Sequence, residues 1–343
     1  MWDICGFEVT AGTKKQVILG VDMGELSHDG RITVIPDGVE DLGIENEYMM
    51  PATLIAGARP GKTVLFTAGI HAGEFPGTPA VMDAASEIDP EKVCGNIIFI
   101  HCVNTSGFNQ RTNGLVPEDD FNLNGGYPGK ADGTVGERIA AYFCTEVFPH
   151  IDFLCDFHSG GNGESMYPCL FYPVKCEVEE ASLEAALALD IPYPIKSMSR
   201  TGEMHWAARE YKVPGLLIET GHSSLAYDEW IDLDKRNIFL LLNHLGVYKK
   251  ADLYPDMVCT KYVSSKNYYP EASADGVWQP MVREHEEVRK GQILGIVTDF
   301  FGNTIETVYA EGNGVIFYRN AGIYAKPGYP LMAYGLKEGF EVC

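Results

Sequence analysis

Hydrophobic and polar positions divide the chain into two textures. From about residue 50 to about residue 250, short apolar runs alternate with stretches of helical period. The runs at 52–57, 63–68, 96–103, 153–157 and 215–219 have strand length and are bounded by turn residues, so they read as buried strands. Helices are predicted between them. One opens at Thr78-Pro79, a cap residue followed by a proline suited to the first helical position. Another opens at Thr134-Val135-Gly136-Glu137, a capping box, with Ile139, Phe143 and Val147 on one face. A third covers about 177–189. A fourth covers about 228–247, with Ile238, Leu241, Leu242 and Leu245 inward. Alternation of this kind predicts an α/β fold: a mixed, largely parallel sheet with helices on both faces.

After about residue 260 the helical period is lost. Short runs at 277–278, 293–297, 307–309 and 315–317 alternate with glycine-rich turns, which predicts a small all-β unit. A chain of 343 residues fits two domains at roughly 150 residues each. The expected division is 1–260 and 261–343.

Composition narrows the function classes. Lys and Arg number 26 against 48 Asp and Glu, a net charge of −22. Nucleic acid and anionic membranes are poor partners for such a surface, because binding them needs clustered cations. The nine cysteines include no CxxC pair, so neither a disulfide framework nor a cysteine zinc knuckle is expected, and most read as buried thiols in a reducing cytosol. The first residues lack the basic and apolar regions of a signal peptide. No run approaches the roughly 20 apolar residues of a membrane span, and a cytoplasmic location is expected. The sequence admits a homo-oligomer without specifying one.

The chemistry concentrates at strand ends. Gly69-Ile70-His71-Ala72-Gly73-Glu74 follows the run 63–68, and His158 ends the run 151–158 in the setting Asp156-Phe157-His158-Ser159-Gly160. Ligands of open α/β sheets sit at the carboxyl ends of strands. Two histidines and a glutamate, with one position left for water, form the donor set of a catalytic zinc site. His71, Glu74 and His158 are therefore the expected ligands of one zinc ion. Glu219 ends the apolar run Gly215-Leu216-Leu217-Ile218, where a carboxylate is costly unless paired or working, so it is the candidate proton shuttle. Asp156, two residues before His158, is read as facing the other side of the chain and as structural. His101 reads as a core histidine, and His205 and His222 as neighbours of active-site loops.

Taken in order, these residues resemble the succinylglutamate desuccinylase/aspartoacylase family, part of the zinc carboxypeptidase-like fold. The resemblance rests on Gly-x-His-x-x-Glu, on Val103-Asn104 with Arg111 downstream, and on Asn122-Leu123-Asn124 before Tyr127-Pro128-Gly129. It continues through Asp156-Phe157-His158-Ser159-Gly160 and Ile218-Glu219, spanning about residues 45–225. The segments 288–295 and 308–316 are similar to the lipoyl-like β-barrel appended in the predicted-deacylase branch. The resemblance implies zinc on His71, Glu74 and His158, a general base and acid at Glu219, and Arg111 polarising the scissile carbonyl of a small N-acyl substrate.

One stretch departs from the family pattern Asp-x-Asn-Arg. Asn122 replaces the aspartate that orients an imidazole, although its carbonyl can still accept from a ring N–H. Asn124 is kept as a substrate-binding candidate. Gly125 replaces the arginine that clamps a substrate carboxylate, and Gly cannot supply a bidentate clamp. Arg200 is the candidate substitute. The resulting expectation is a zinc-dependent hydrolase that deacylates an N-acylated amino acid or amine. The alternatives are a metallocarboxypeptidase, which Gly125 disfavours, and a catalytically degenerate metal-binding protein. A lipoyl-type carrier is disfavoured because the turn Glu311-Gly312-Asn313-Gly314 has no lysine.

Overall fold

A computed structural model describes residues 1–253 and 258–343. Ten strands form the main sheet. Their spatial order is Phe340–Val342, Tyr262–Ser264, Tyr193–Ser197, Cys169–Pro173, Gly215–Glu219, Phe153–His158, Arg59–Ala68, Cys94–Ile100, Glu47–Ala56 and Thr13–Asp22. The four central strands, from Gly215–Glu219 to Cys94–Ile100, are mutually parallel. Antiparallel pairings lie outside them, so the sheet is mixed with a parallel centre.

Side-chain alternation explains the continuous apolar runs. Along Arg59–Ala68, Val64, Phe66 and Ala68 enter one core and Leu65 enters the other. A strand buried on both faces has no polar face to show. Helices Gly77–Glu87 and Asp228–His244 cover one face through Ala80, Val81, Ala84, Ile238, Leu241 and Leu242. Helix Val135–Tyr142 covers the other through Ile139 and Ala140, and its chain continues through buried Phe143 and Val147. Each large apolar side chain buried here contributes about 1.5–3 kcal/mol, which fixes the strand ends that carry the site. At the Val135 helix, the Thr134 N–H donates to Glu137 Oε2 at 3.1 Å, as the capping-box spacing predicts. The helix expected at Thr78-Pro79 begins instead at Gly77, after Pro76. A Cβ on Gly77 would lie 2.5 Å from Phe157 Cβ, so the helix start presses on the strand that carries His158.

Two small antiparallel sheets from the C-terminal part of the chain share a core of Trp278, Leu294, Val297, Ile316, Met332 and Tyr334. They are not isolated from the main sheet. Strand Glu164–Met166 leaves the loop after His158 and pairs with Gly314–Asn320. Strands Tyr262–Ser264 and Phe340–Val342 complete the edge of the main sheet. An apolar cluster of Cys169, Tyr193, Ile195, Val315 and Phe317 seals this junction. All nine cysteines are unpaired; Cys102, Cys144, Cys155 and Cys169 are buried and the other five are only partly so or exposed. Among the described residues no helix is long and apolar enough to cross a membrane.

Candidate active site

The site forms where three neighbouring strands end. Ala68 pairs with Phe157, and Glu219 pairs with His158, so His71, His158 and Glu219 leave the sheet side by side. Gly69 turns the chain at φ 68°, a left-handed conformation that a Cβ would strain. Its backbone then places His71 above His158, with ring centroids 4.9 Å apart and planes at 81°. The Glu74 N–H donates to His71 O at 3.1 Å, closing a turn that brings the Glu74 carboxylate back over the imidazole.

The three expected ligands converge. His71 Nδ1 lies 2.8 Å from Glu74 Oε1, and His158 Nδ1 lies 2.8 Å from Glu74 Oε2. One donor atom from each residue falls within 4.8 Å of the others. The opposite edge of each ring is occupied. His71 Nε2 faces Asn122 Oδ1 at 3.0 Å, and His158 Nε2 faces Asp156 Oδ2 at 2.7 Å. Both oxygens accept, so the ring protons belong on Nε2 and each Nδ1 aims a lone pair at the carboxylate. Lone pairs facing a carboxylate repel unless a cation lies between them. In the bare site protons serve that purpose. Burial opposes the imidazolium forms, but Glu74 lifts His71, and Asp156 and Glu74 lift His158 well above the ordinary range. Burial likewise opposes the Glu74 carboxylate, yet the two imidazoles hold it down at about 2. A divalent ion satisfies the same geometry without those protons, and the donor set fits it.

Asp156 corrects a prediction. Residues two apart on a strand share a face, so Asp156 points the same way as His158 and supports it. Below it, Thr67 Oγ1 lies 2.9 Å from Asp156 Oδ1 and 3.1 Å from Glu203 Oε2. One hydroxyl hydrogen cannot serve two carboxylates. Burial and the Asp156 charge push the Glu203 carboxyl well above its ordinary range. Glu203 therefore carries its own proton and donates to Thr67, which donates to Asp156, which accepts from His158. Nothing in the sequence around Gly202-Glu203 marks this residue, because its role depends on burial against a distant strand.

Glu219 is half-buried at its strand end, and its Oε2 is enclosed with no hydrogen-bond partner among the described residues. Burial, then the Glu74 carboxylate, pushes its carboxyl well above the usual range, as suits a group that both takes and gives a proton. It opens onto a cavity of about 240 Å³ walled partly by the C-terminal sheets.

The other predicted residues sit on separate elements. Arg111 ends helix Thr105–Gln110 at φ 59° and is exposed, with no hydrogen bond or ion pair to its guanidinium among the described residues. Its loop packs on the turn that carries His71 and Glu74: Asn113 O accepts from the Gly73 N–H at 3.2 Å, and a Cβ on Gly114 would lie 3.6 Å from the His71 ring. Asn124 is half-buried in the 3-10 turn Leu123–Gly125, next to Asn122. The loop carrying Arg200 packs onto it, since a Cβ on Gly202 would lie 2.8 Å from Asn124 Oδ1. Arg200 itself is exposed, and its carbonyl accepts from Arg209 Nη2 at 2.5 Å. Gly125 is exposed, with the nearest atom 3.7 Å from a Cβ placed there. His101 and His205 bond to Thr53 Oγ1 and Ser197 Oγ, and burial pushes each down to about 4.

A model of the succinylglutamate desuccinylase/aspartoacylase catalytic domain matches residues 60–245, a span that contains His71, Glu74, Arg111, Asn124, His158, Arg200 and Glu219. The chain belongs to this family. It is 28% identical over 286 residues to the N-alpha-acetyl-L-2,4-diaminobutyric acid deacetylase of Halomonas elongata, covering 79% of this chain and 81% of that one. The product-bound ectoine utilization protein EutE (DoeB) of Ruegeria pomeroyi is similar at 25% identity and TM-score 0.76, over 84% of this chain and 90% of that chain. A succinylglutamate desuccinylase/aspartoacylase of Rhodobacter sphaeroides shares the fold along 99% of both chains, with TM-score 0.80 at 20% identity. That last likeness includes the C-terminal sheets, so the shared fold extends over them.

Proposed function

We propose that this chain is a zinc-dependent deacylase hydrolysing the amide bond of a small N-acylated amino acid or amine. The observation that carries the reading is the convergence of His71 Nδ1, His158 Nδ1 and the Glu74 carboxylate beside an unpartnered acid, Glu219. The deacetylase relative supports amide hydrolysis as the reaction class. His71, Glu74 and His158 hold the ion, which when bound supplies Lewis acidity and makes water more acidic. Glu219 accepts the proton of the attacking water and returns it to the leaving nitrogen. Asn122 and Asp156 keep both imidazoles in the tautomer that presents Nδ1. Arg111, from the loop over His71, contributes a cation to the developing negative charge on the carbonyl oxygen. Asn124 and Arg200 meet the substrate on the other rim. A cavity of about 240 Å³ suits a small molecule rather than a polypeptide, which favours deacylation over carboxypeptidase action.

The test is hydrolysis of N-acetyl and N-succinyl amino acids and N-acetyl amines by zinc-loaded protein, with Glu219→Gln beside it. The variant is expected to bind metal normally and to lose about 10²- to 10⁴-fold in kcat, the range of a general acid–base. Undiminished turnover in Glu219→Gln overturns the assignment.

A further inference from the structure

The cavity beyond Glu219 has a chemical character of its own. Its wall is largely apolar, with Phe171, Ile195 and Phe317 among its residues, and its polar atoms come from Glu164, Glu219 and four tyrosines, Tyr269, Tyr318, Tyr324 and Tyr329; among the described residues no lysine, arginine or histidine lines it. A substrate carboxylate entering here would meet two carboxyl groups and no cation. A purely apolar group would meet the rings but would leave Glu164 without purpose.

Glu164 is held in place from both sides. Its Oε2 accepts from the Gly161 N–H at 2.9 Å and its Oε1 accepts from the Tyr318 hydroxyl at 3.1 Å. Each carboxylate oxygen has two acceptor sites, so each keeps one for another donor. The backbone is fixed as well, because Glu164 pairs with Asn320, and Met166 with Tyr318, across the junction. The C-terminal part of the chain thus positions this acid and supplies all four tyrosines. Burial and the nearby Glu74 charge push the Glu164 carboxyl up, and a bound cation would relieve both effects. Aromatic faces around a carboxylate are the surroundings in which organic ammonium groups bind.

We infer that this cavity holds the ammonium end of the substrate, so that the amide cleaved belongs to an N-acylated diamine or diamino acid. The inference rests on the deacylase reading for the position of the scissile bond. Glu164 takes the ammonium hydrogens, the faces of the tyrosines enclose its charge, and the acylated nitrogen reaches back to Glu219. Substrate choice then lies in the C-terminal unit, and the ammonium end needs no arginine at position 125.

Three compounds of equal length separate the alternatives: N-acetyl-1,3-diaminopropane, N-butylacetamide and N-acetyl-4-aminobutyrate, cationic, neutral and anionic in turn. Their binding is measured by titration calorimetry on zinc-loaded Glu219→Gln, in which turnover is suppressed, and their hydrolysis on the wild-type protein. The cation is expected to bind about tenfold or more tightly than either of the others, the scale of an enclosed cation over aromatic rings. Adding Glu164→Gln, or Tyr324→Leu at a half-exposed ring, is expected to erase most of that preference. The second variant keeps the test valid if the first disturbs the junction. Equal or weaker binding of the cation, or a preference untouched by both variants, overturns the inference. If the cation binds selectively and wild-type protein hydrolyses none of the three, the deacylase reading fails and the ammonium site stands.

Discussion

Replacing Asp156 by Asn tests how the metal site is supported. Asp156 and His158 are both buried, and the His158 Nε2–H meets Asp156 Oδ2 at 2.7 Å. A carboxylate there makes the far nitrogen, Nδ1, a better donor to a cation. Substitution keeps the shape and removes the charge. The side-chain amide can still accept from His158 through Oδ1 and donate to Thr67 Oγ1, so both partners of Asp156 keep a hydrogen bond and the fold should survive. Partners of this kind are worth about 10- to 100-fold in metal affinity, or about 1.4–2.7 kcal/mol. The assay is competition for zinc against a chelating indicator at neutral pH, with circular dichroism to check folding. A folded Asp156→Asn protein whose zinc affinity stays within about twofold of wild type would refute the argument, since the range expected for such a partner begins at about tenfold.

Glu203→Gln separates a neutral acid from a charged one. If Glu203 already carries a proton, the amide replaces it as donor to Thr67, and zinc affinity should change by less than about threefold; a loss as large as that of Asp156→Asn would show that its charge matters. Gly125→Arg has room at the Cβ and restores a bidentate cation, so relative kcat/KM should shift at least about tenfold from N-acetyl diamines toward N-acyl dicarboxylic amino acids; an unchanged ratio would mean that position 125 does not face substrate. Zinc should stabilise more as pH rises. In metal-free protein the raised His71 and His158 contribute stability that is complete below about 6.5 and lost as pH climbs through their folded values. Glu74 contributes above about 4.5 and loses its share as pH falls toward about 2. The zinc-dependent gain in Tm should therefore grow between about pH 6 and about pH 8, and a flat or shrinking gain in calorimetry would contradict the proton count.

What was legible in the sequence was what depends on local pattern. The central strands are doubly buried, so they appear as uninterrupted apolar runs, and the residues that end them could be picked out by type. Thr13–Asp22 escaped because it is an edge strand whose first half is polar and exposed. Cys169–Pro173 and Tyr193–Ser197 escaped because each is short and contains proline, which argues against strand. The acids behind and beside His158 are harder to see. Asp156 shares the face of His158 rather than the opposite one, and the two-residue period of a strand is enough to place it. Glu203 and Glu164 have no local signature: one is defined by burial against Thr67, the other by a strand pairing with the distant Asn320. Long-range pairing also explains how the C-terminal sheets come to wall the cavity, a role that their turns and short strands do not announce.

Metal stoichiometry in protein reconstituted with zinc and then dialysed, determined by mass spectrometry for wild type and for His71→Ala, Glu74→Ala and His158→Ala, reaches the central claim with the fewest assumptions. One zinc per wild-type chain, and near-complete loss in each variant, is the predicted result. Wild-type protein that retains no zinc, or variants that retain it in full, would contradict the account.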